Sequence, residues 1–335
     1  MRCFMLLTSA AMLASLSSSA AAGQDGPIAG LSAQQVTMPD EMGDVADLGP
    51  LVFRGGLSIT TPDPKFVGWS GIWVSPDGAE MVGVERGTWV KARLEYDPEG
   101  NLSGFVPERV GMLHDANGNA LSGDEADAEG LDFDGTDFFV GFETHDRVLR
   151  YRDIDGPGVA LPIPQAVLAP IFRGAGFSSV AALPNGSVMM MPEYSYASVE
   201  QKERGERPSF APTRGWIEGV EGAGPIALRA GHPALPVSIT QLPSGGLVTS
   251  EVHFSEETQT LDEGRIGFVP QGEAAIGRTM SPRPIATFAS PMPAWRIEGG
   301  SARTGARGET LLYFMSTSAP PVLYMFELKG GGANP

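Results

Sequence analysis

Residues 129–147 read EGLDFDGTDFFVGFETHDR. A short apolar run, an Asp134-Gly135 pair and a second apolar run describe a hairpin, because hairpin turns favour positive φ, which glycine tolerates. Runs this short, and this rich in Phe, Val and Leu, read as strands buried on both faces rather than as helices. A glutamate stands at each end of the apolar part. Glu129 opens the first strand and Glu143 closes the second.

The same unit recurs along the chain. WSGIWVSPDGAEMVGVE (69–85) turns at Asp77-Gly78, SSVAALPNGSVMMMPE (178–193) at Asn185-Gly186, and VSITQLPSGGLVTSE (237–251) at Ser244-Gly245. A looser copy runs from Glu298-Gly299 through ARGETLLYFMS. The closing glutamates fall at 85, 143, 193 and 251, in steps of 58, 50 and 58. That spacing suits a four-stranded propeller blade. TWVKARLEYD (88–97), RVLRYRD (147–153) and RIGFVP (265–270) follow three of the hairpins and read as outer strands. One hairpin cannot bury both faces, but stacked neighbours can, so the expected fold is an all-β propeller. LYMFELK (323–329) is expected to pair with LVFRGGLSI (51–59), closing the ring and removing free edges. Five hairpin units plus the joined ends point to six blades, with five and seven left as alternatives.

Around this domain, placed at residues 48–330, the sequence is simpler. Residues 1–22 have one basic residue, an apolar stretch and an Ala20/Ala22 end, the pattern of an export signal cleaved before Gly23. Residues 23–47 read as a polar leader and 331–335 as a flexible tail, and 196–215 as a surface loop. The expected location is periplasmic or secreted, with no further membrane span. The one cysteine, Cys3, lies in the signal, so the mature chain is expected to lack disulfides and thiol chemistry. With 23 basic and 40 acidic residues the formal charge is −17, which opposes nucleic-acid binding. The expected state is a monomer.

RGGLSITTPDPKFVGWSGIWVSPDGAEMVGVERG (54–87) resembles the opening of the phytase-like family, named for an "esterase-like activity of phytase". Phe66, Ser70 and Gly71 match its middle step, and Glu85-Arg86-Gly87 stands where the family usually has Asp-Arg-Gly. DAEGLDFDGTDFFVGFETHDRVLRY (127–151) is similar to the second signature, and RIEGGSARTGARGETLLYFMSTSAPPVLYMFELK (296–329) to the last blade. The resemblance, over roughly residues 48–330, implies an exported propeller with hydrolytic activity. Ser316-Thr317-Ser318-Ala319 replaces the family's acidic turn and removes carboxylates from that corner.

In an antiparallel hairpin the first strand's start lies beside the second strand's end. Glu85, Glu129, Glu143, Glu193, Glu251 and Glu298 are therefore expected at one rim. Converging carboxylates repel unless a cation, an arginine or protonation relieves them, and calcium, an oxygen-seeking ion, is the expected cofactor. The plainer role for each glutamate is an ion pair with a neighbour such as Arg86 or Arg147. Arg86, Arg147 and Arg296 are the candidate binders of an anionic substrate group. His145, close after Glu143, is the candidate general acid or base, or else a surface-turn histidine. DANGN (115–119) lacks the glycine and glutamate of a calcium loop, and no G-x-S-x-G or H-E-x-x-H motif occurs. Two functions follow from these residues. One is metal-assisted hydrolysis of a small-molecule phosphate or carboxylic ester. The other is a non-catalytic propeller binding a small molecule, polymer or envelope protein.

Overall fold

The computed structural model describes residues 30–38, 46–61, 66–196, 198–205, 212–230, 234–255, 260–289, 296–317 and 319–330. The segments expected to be an export signal and a tail, and much of the expected leader, lie outside these.

The chain opens with β1 (Ser32–Val36), β2 (Ala46–Asp47) and β3 (Leu51–Thr60). Blade 1 is β4 (Gly71–Val74), β5 (Glu80–Glu85), β6 (Thr88–Tyr96) and β7 (Leu102–Met112). Blade 2 is β8 (Ala128–Phe133), β9 (Phe138–Phe142), β10 (Arg147–Tyr151) and β11 (Gly158–Ala160). After the short helix α1 (Gln165–Leu168), blade 3 is built from β12 (Ser179–Ala182) and β13 (Val188–Met191). A further short helix, α2 (Val199–Glu203), breaks the loop expected over 196–215 before β14 (Thr213–Glu218) and β15 (Gly224–Leu228). Blade 4 is β16 (Ala234–Gln241), β17 (Leu247–Ser255) and β18 (Thr260–Val269); β19 (Thr279–Met280) leaves to pair with β15, and β20 (Arg283–Ala289) returns. Blade 5 is β21 (Ile297–Thr304), β22 (Thr310–Ser316) and β23 (Val322–Leu328).

Five sheets result, and in each the first strand of the hairpin unit is innermost. The innermost strands β4, β8, β12, β16 and β21 each contact the next, and β21 contacts β4, so the ring closes. The expectation of six blades gives way to five. The joined ends do not form a sheet of their own: β3 pairs with β23 as expected, but as the next strand of blade 5, in the order β21-β22-β23-β3-β1. Two stretches of the polar leader are strands as well. β1 edges blade 5 and β2 edges blade 4, where a strand needs backbone hydrogen bonds more than an apolar face.

The core lies between blades. One cluster joins Trp69, Ile72 and Met81 of blade 1 to Tyr313, Met315 and Met325 of blade 5. Another joins Val84 and Trp89 to Leu131 and Phe142 across blades 1 and 2, and similar clusters seal the remaining junctions. Every residue of β13, β22 and β23 is buried, as expected of strands covered on both faces. The hairpin turns are longer than two residues. In blade 1, Gly78 at φ 79° donates to the Ser75 carbonyl at 2.8 Å, and the Asp77 carboxylate accepts from Ala79 N–H.

With only five blades the axis is narrow, and small residues fill it. A Cβ on Gly71 would stand 2.7 Å from the Leu131 nitrogen, and one on Gly300 would stand 2.2 Å from Thr240 Oγ1. These glycines let neighbouring innermost strands meet. Side chains then tie the strands together: Asp132 accepts from Ala182 N–H at 2.8 Å, and Ser301 Oγ accepts from Val74 N–H at 2.9 Å.

Candidate functional site

Strand register puts the acidic residues at one end of the axis. Gly71 pairs with Val84, so Ser70 stands opposite Glu85. In blade 2 the register shifts between Ala128 and Gly130, and Glu129 is the extra residue; Glu143 follows directly on β9. Blade 5 repeats the device between Ile297 and Gly299, where Glu298 is the extra residue. Bulges re-aim a side chain out of the alternating pattern and recur beside functional sites. Here they mark the two glutamates that open first strands.

The side chains converge around Ser70. Its hydroxyl donates to Glu85 Oε2 at 2.8 Å and lies 3.5 Å from Glu298 Oε2. Arg296 Nε is 2.6 Å from Glu298 Oε1, and Arg86 Nε is 3.1 Å from Glu85 Oε1. Burial pushes the Glu85 carboxyl up to about 7, against the pull of Ser70 and Arg86. Burial also raises Glu129 well above the usual carboxylate range, reinforced by the charges of Glu143, Glu298 and Glu85. Glu143 is raised by burial and then by Glu193, Asp127 and Glu298; Glu193 by burial and then by Glu298. Arg296 relieves both. Although burial works against its cation, Glu298, Glu193 and Glu129 hold Arg296 firmly protonated. Glu129, Glu143, Glu193 and Glu298 therefore share one field with Arg296 as counter-ion, while Glu85 joins them through Ser70 and Glu298 and has Arg86 as its own cation.

The other expected members have different surroundings. Glu251 is buried within blade 4, where it accepts from Thr249 Oγ1 at 3.1 Å and its Oε1 lies over Gly267. The bulge between Pro236 and Ser238 leaves Val237, not an acid, as the first-strand residue there. Arg147 turns its guanidinium over the Phe142 ring, 4.4 Å from the centroid, and donates to the Glu125 carbonyl. Its role is to pack the outside of blade 2. His145 is exposed in the turn 143–146, beside Asp146, as the surface alternative expected. Arg86 is exposed in a left-handed conformation, φ 44°, with Glu85 as ion partner.

Ser70 is a buried hydroxyl at a strand start, as its sequence position suggests, but the sequence reading missed Ser178, Ser179 and Ser238. Beneath the carboxyls a small cavity of about 10 Å³ is lined by Ser70, Ser178, Ser179, Ser238 and Glu298. The Ser178 and Ser179 hydroxyls are buried and have no hydrogen-bond partner among the described residues. The signal was the small-residue pair at or near the start of three of the five innermost strands: Ser70-Gly71, Ser178-Ser179 and Gly299-Gly300. Calcium fits this mouth poorly. Among the described residues no three carboxyl, imidazole or thiol groups are placed to hold one metal ion, and calcium takes six to eight oxygens. No step below runs through it.

The fold and the site define a five-bladed propeller with a carboxyl-lined mouth at one end of its axis. Residues 64–223 match the family model "Phytase-like: Esterase-like activity of phytase", so the chain carries a phytase-like domain set in a β-propeller. The match ends within blade 3, short of the 48–330 over which the resemblance was read. No curated protein matches the chain. Among solved structures, a PQQ-bound aldose sugar dehydrogenase from Streptomyces coelicolor is 12% identical over 78% of this chain and 94% of that one, with a TM-score of 0.40. U3-55K is 9% identical over 90% and 99%, also with a TM-score of 0.40. Kuenenia stuttgartiensis hydrazine synthase is 11% identical over 75% of this chain, which spans 57% of that chain, with a TM-score of 0.38. Likenesses at these scores say nothing about chemistry.

Proposed function

We propose that the protein is an exported ester hydrolase working at the carboxyl mouth by general acid–base catalysis. The observation that carries this reading is the gathering of Glu85, Glu129 and Glu298 around Ser70, with Glu143 and Glu193 in the same field, Arg296 among the last four of these acids and Arg86 on Glu85. Raised carboxyls beside an arginine supply both proton states near neutrality. A protonated group, Glu129 foremost, donates its proton to the leaving oxygen. Glu85, half-ionised near pH 7, takes a proton from the attacking water. One water and one ester give one acid and one alcohol, and the two proton transfers balance. Arg296, half-paired and near the surface, stabilises the oxyanion that forms on the carbonyl oxygen.

The charge of the mouth favours an uncharged carboxylic ester over a phosphate ester. A phosphate dianion would meet carboxyls on several sides, and a neutral ester meets no such repulsion. The test is a panel of carboxylic and phosphate esters at pH 7. Wild type is expected to turn over a carboxylic ester, and Glu129→Gln to lose about 100-fold in kcat with little change in KM. Equal turnover by wild type and Glu129→Gln would remove the reading. A midpoint shift with ester but no turnover by wild type would leave a binding propeller instead.

A further inference from the structure

The hairpin turns end at the opposite mouth, which holds a larger space than the carboxyl end. This cavity has a volume of about 510 Å³ and takes walls from all five blades. That is the size of a small-molecule site. Leu131, Val180 and Ile239 line both this cavity and the serine-lined one, so an apolar girdle stands between the two mouths.

Its walls are divided by chemistry. Blades 1 and 2 supply a half-exposed aromatic wall, with Trp73 and Phe133 rings 5.0 Å apart and Phe133 4.4 Å from Phe138. Blades 3 and 4 continue it with Leu183, Pro184, Leu242 and Pro243. Blade 5 supplies Arg303. The guanidinium is held in place by neutral groups: Nε donates to the Tyr313 hydroxyl at 2.9 Å, Nη1 to the Thr304 carbonyl at 3.3 Å, and the rings of Tyr96 and Tyr313 lie beneath it. Among the described residues no carboxylate lies within ion-pair distance of Arg303, though its charge reaches Asp77 and helps lower that carboxyl, whereas Arg86, Arg93, Arg109 and Arg296 each have a paired acid. The acids nearby are occupied. Asp132 accepts from Phe133 and Ala182 N–H groups, Asp134 from Thr136 and Asp137, and Asp77 from Ala79 N–H and the Ser75 hydroxyl. A rigidly held cation facing an aromatic wall inside a concave site suits a ligand with an apolar body and one anionic end.

We infer that this second mouth binds a small aromatic carboxylate, its ring against Trp73 and Phe133 and its carboxylate on Arg303. The site lies on the far side of the apolar girdle from the carboxyl mouth, and it stands whether or not that mouth hydrolyses esters. Calorimetry on the full chain with 2-naphthoate tests it, with 2-naphthol as the uncharged analogue. Naphthoate is expected to bind one site, naphthol about tenfold or more weaker, and Arg303→Met to lose naphthoate affinity by a similar factor while Arg303→Lys keeps part of it. Hydrogen exchange on the wild-type protein gives a reading that needs no variant. Naphthoate should protect 71–74, 131–134, 239–243 and 300–304, and leave the segments carrying Glu143 and Glu193 unchanged. No binding by wild type, equal binding of naphthol, undiminished binding by folded Arg303→Met, or protection confined to the glutamate mouth would each overturn the inference.

Discussion

At Glu85 the consequences of burial have a definite sign. Its carboxyl is pushed from 4.5 to about 7, so between those values the folded protein holds a proton the unfolded chain has released. Stability then falls as pH rises through that window, by roughly 3 kcal/mol at most for this group. Glu85→Gln removes the cost of ionisation and keeps an acceptor for Ser70. The variant is expected to melt above wild type at pH 8 and to lose that advantage near pH 4, which thermal melts across pH would show. A variant destabilised at pH 8 would mean that the Arg86 pair outweighs burial. Glu129 adds the same sign, since it too is raised, and Glu129→Gln is expected to flatten the acid-to-neutral decline further. Gly71 makes the complementary point about space. Its missing Cβ lets β4 approach β8, and Gly71→Val is expected to cost about 3 kcal/mol or more through overpacking, measurable by denaturant titration.

At the scale of elements, the hairpin units behave as their apolar patterns suggest, and the bulges do not show in those patterns. The shifts at Ala128/Gly130 and Ile297/Gly299 lift Glu129 and Glu298 out of alternation and toward the mouth. The closing pair is the element on which the ring most depends. Phe326 of β23 is sealed from solvent and contacts the rings of Phe53, Phe288, Phe314 and Tyr324. Phe326→Ala is expected to cost about 3–5 kcal/mol and to lower the melting midpoint by roughly 10 °C. Ending the chain before Val322 would expose the edges of β22 and β3 together, and aggregation rather than a weakened monomer is the expected result on size-exclusion chromatography.

For the molecule as a whole, the two mouths divide the labour of one axis. One collects carboxyls whose charges are reduced by burial and by Arg296; the other presents an anchored arginine and an aromatic wall. Calcium offers a global test. With no ready ligand set among the described residues, millimolar calcium is expected to leave the melting midpoint where chelator puts it. A rise of about 4 °C, the size expected from an ion at about a hundred times its Kd, would put a metal back at the glutamate mouth. Among the described residues no helix is long and apolar enough to cross a membrane.

The repeated hairpins and the pairing of the two ends were written in the sequence, because turn chemistry and short apolar runs are local properties. So was the expectation that Glu85, Glu129, Glu143, Glu193 and Glu298 share a rim, since strand direction alone decides which end of a hairpin an acid occupies. Tertiary structure decided the blade count, because whether the joined ends start a new sheet or extend blade 5 depends on which edges remain open after the ring forms. It also decided that Glu251 packs beside Thr249 and Gly267, that Arg147 lies over Phe142, that serines line the axis, and that Arg303 lines a cavity. Those outcomes depend on how five separate strands meet at one axis, and residue order within any single strand does not record that meeting.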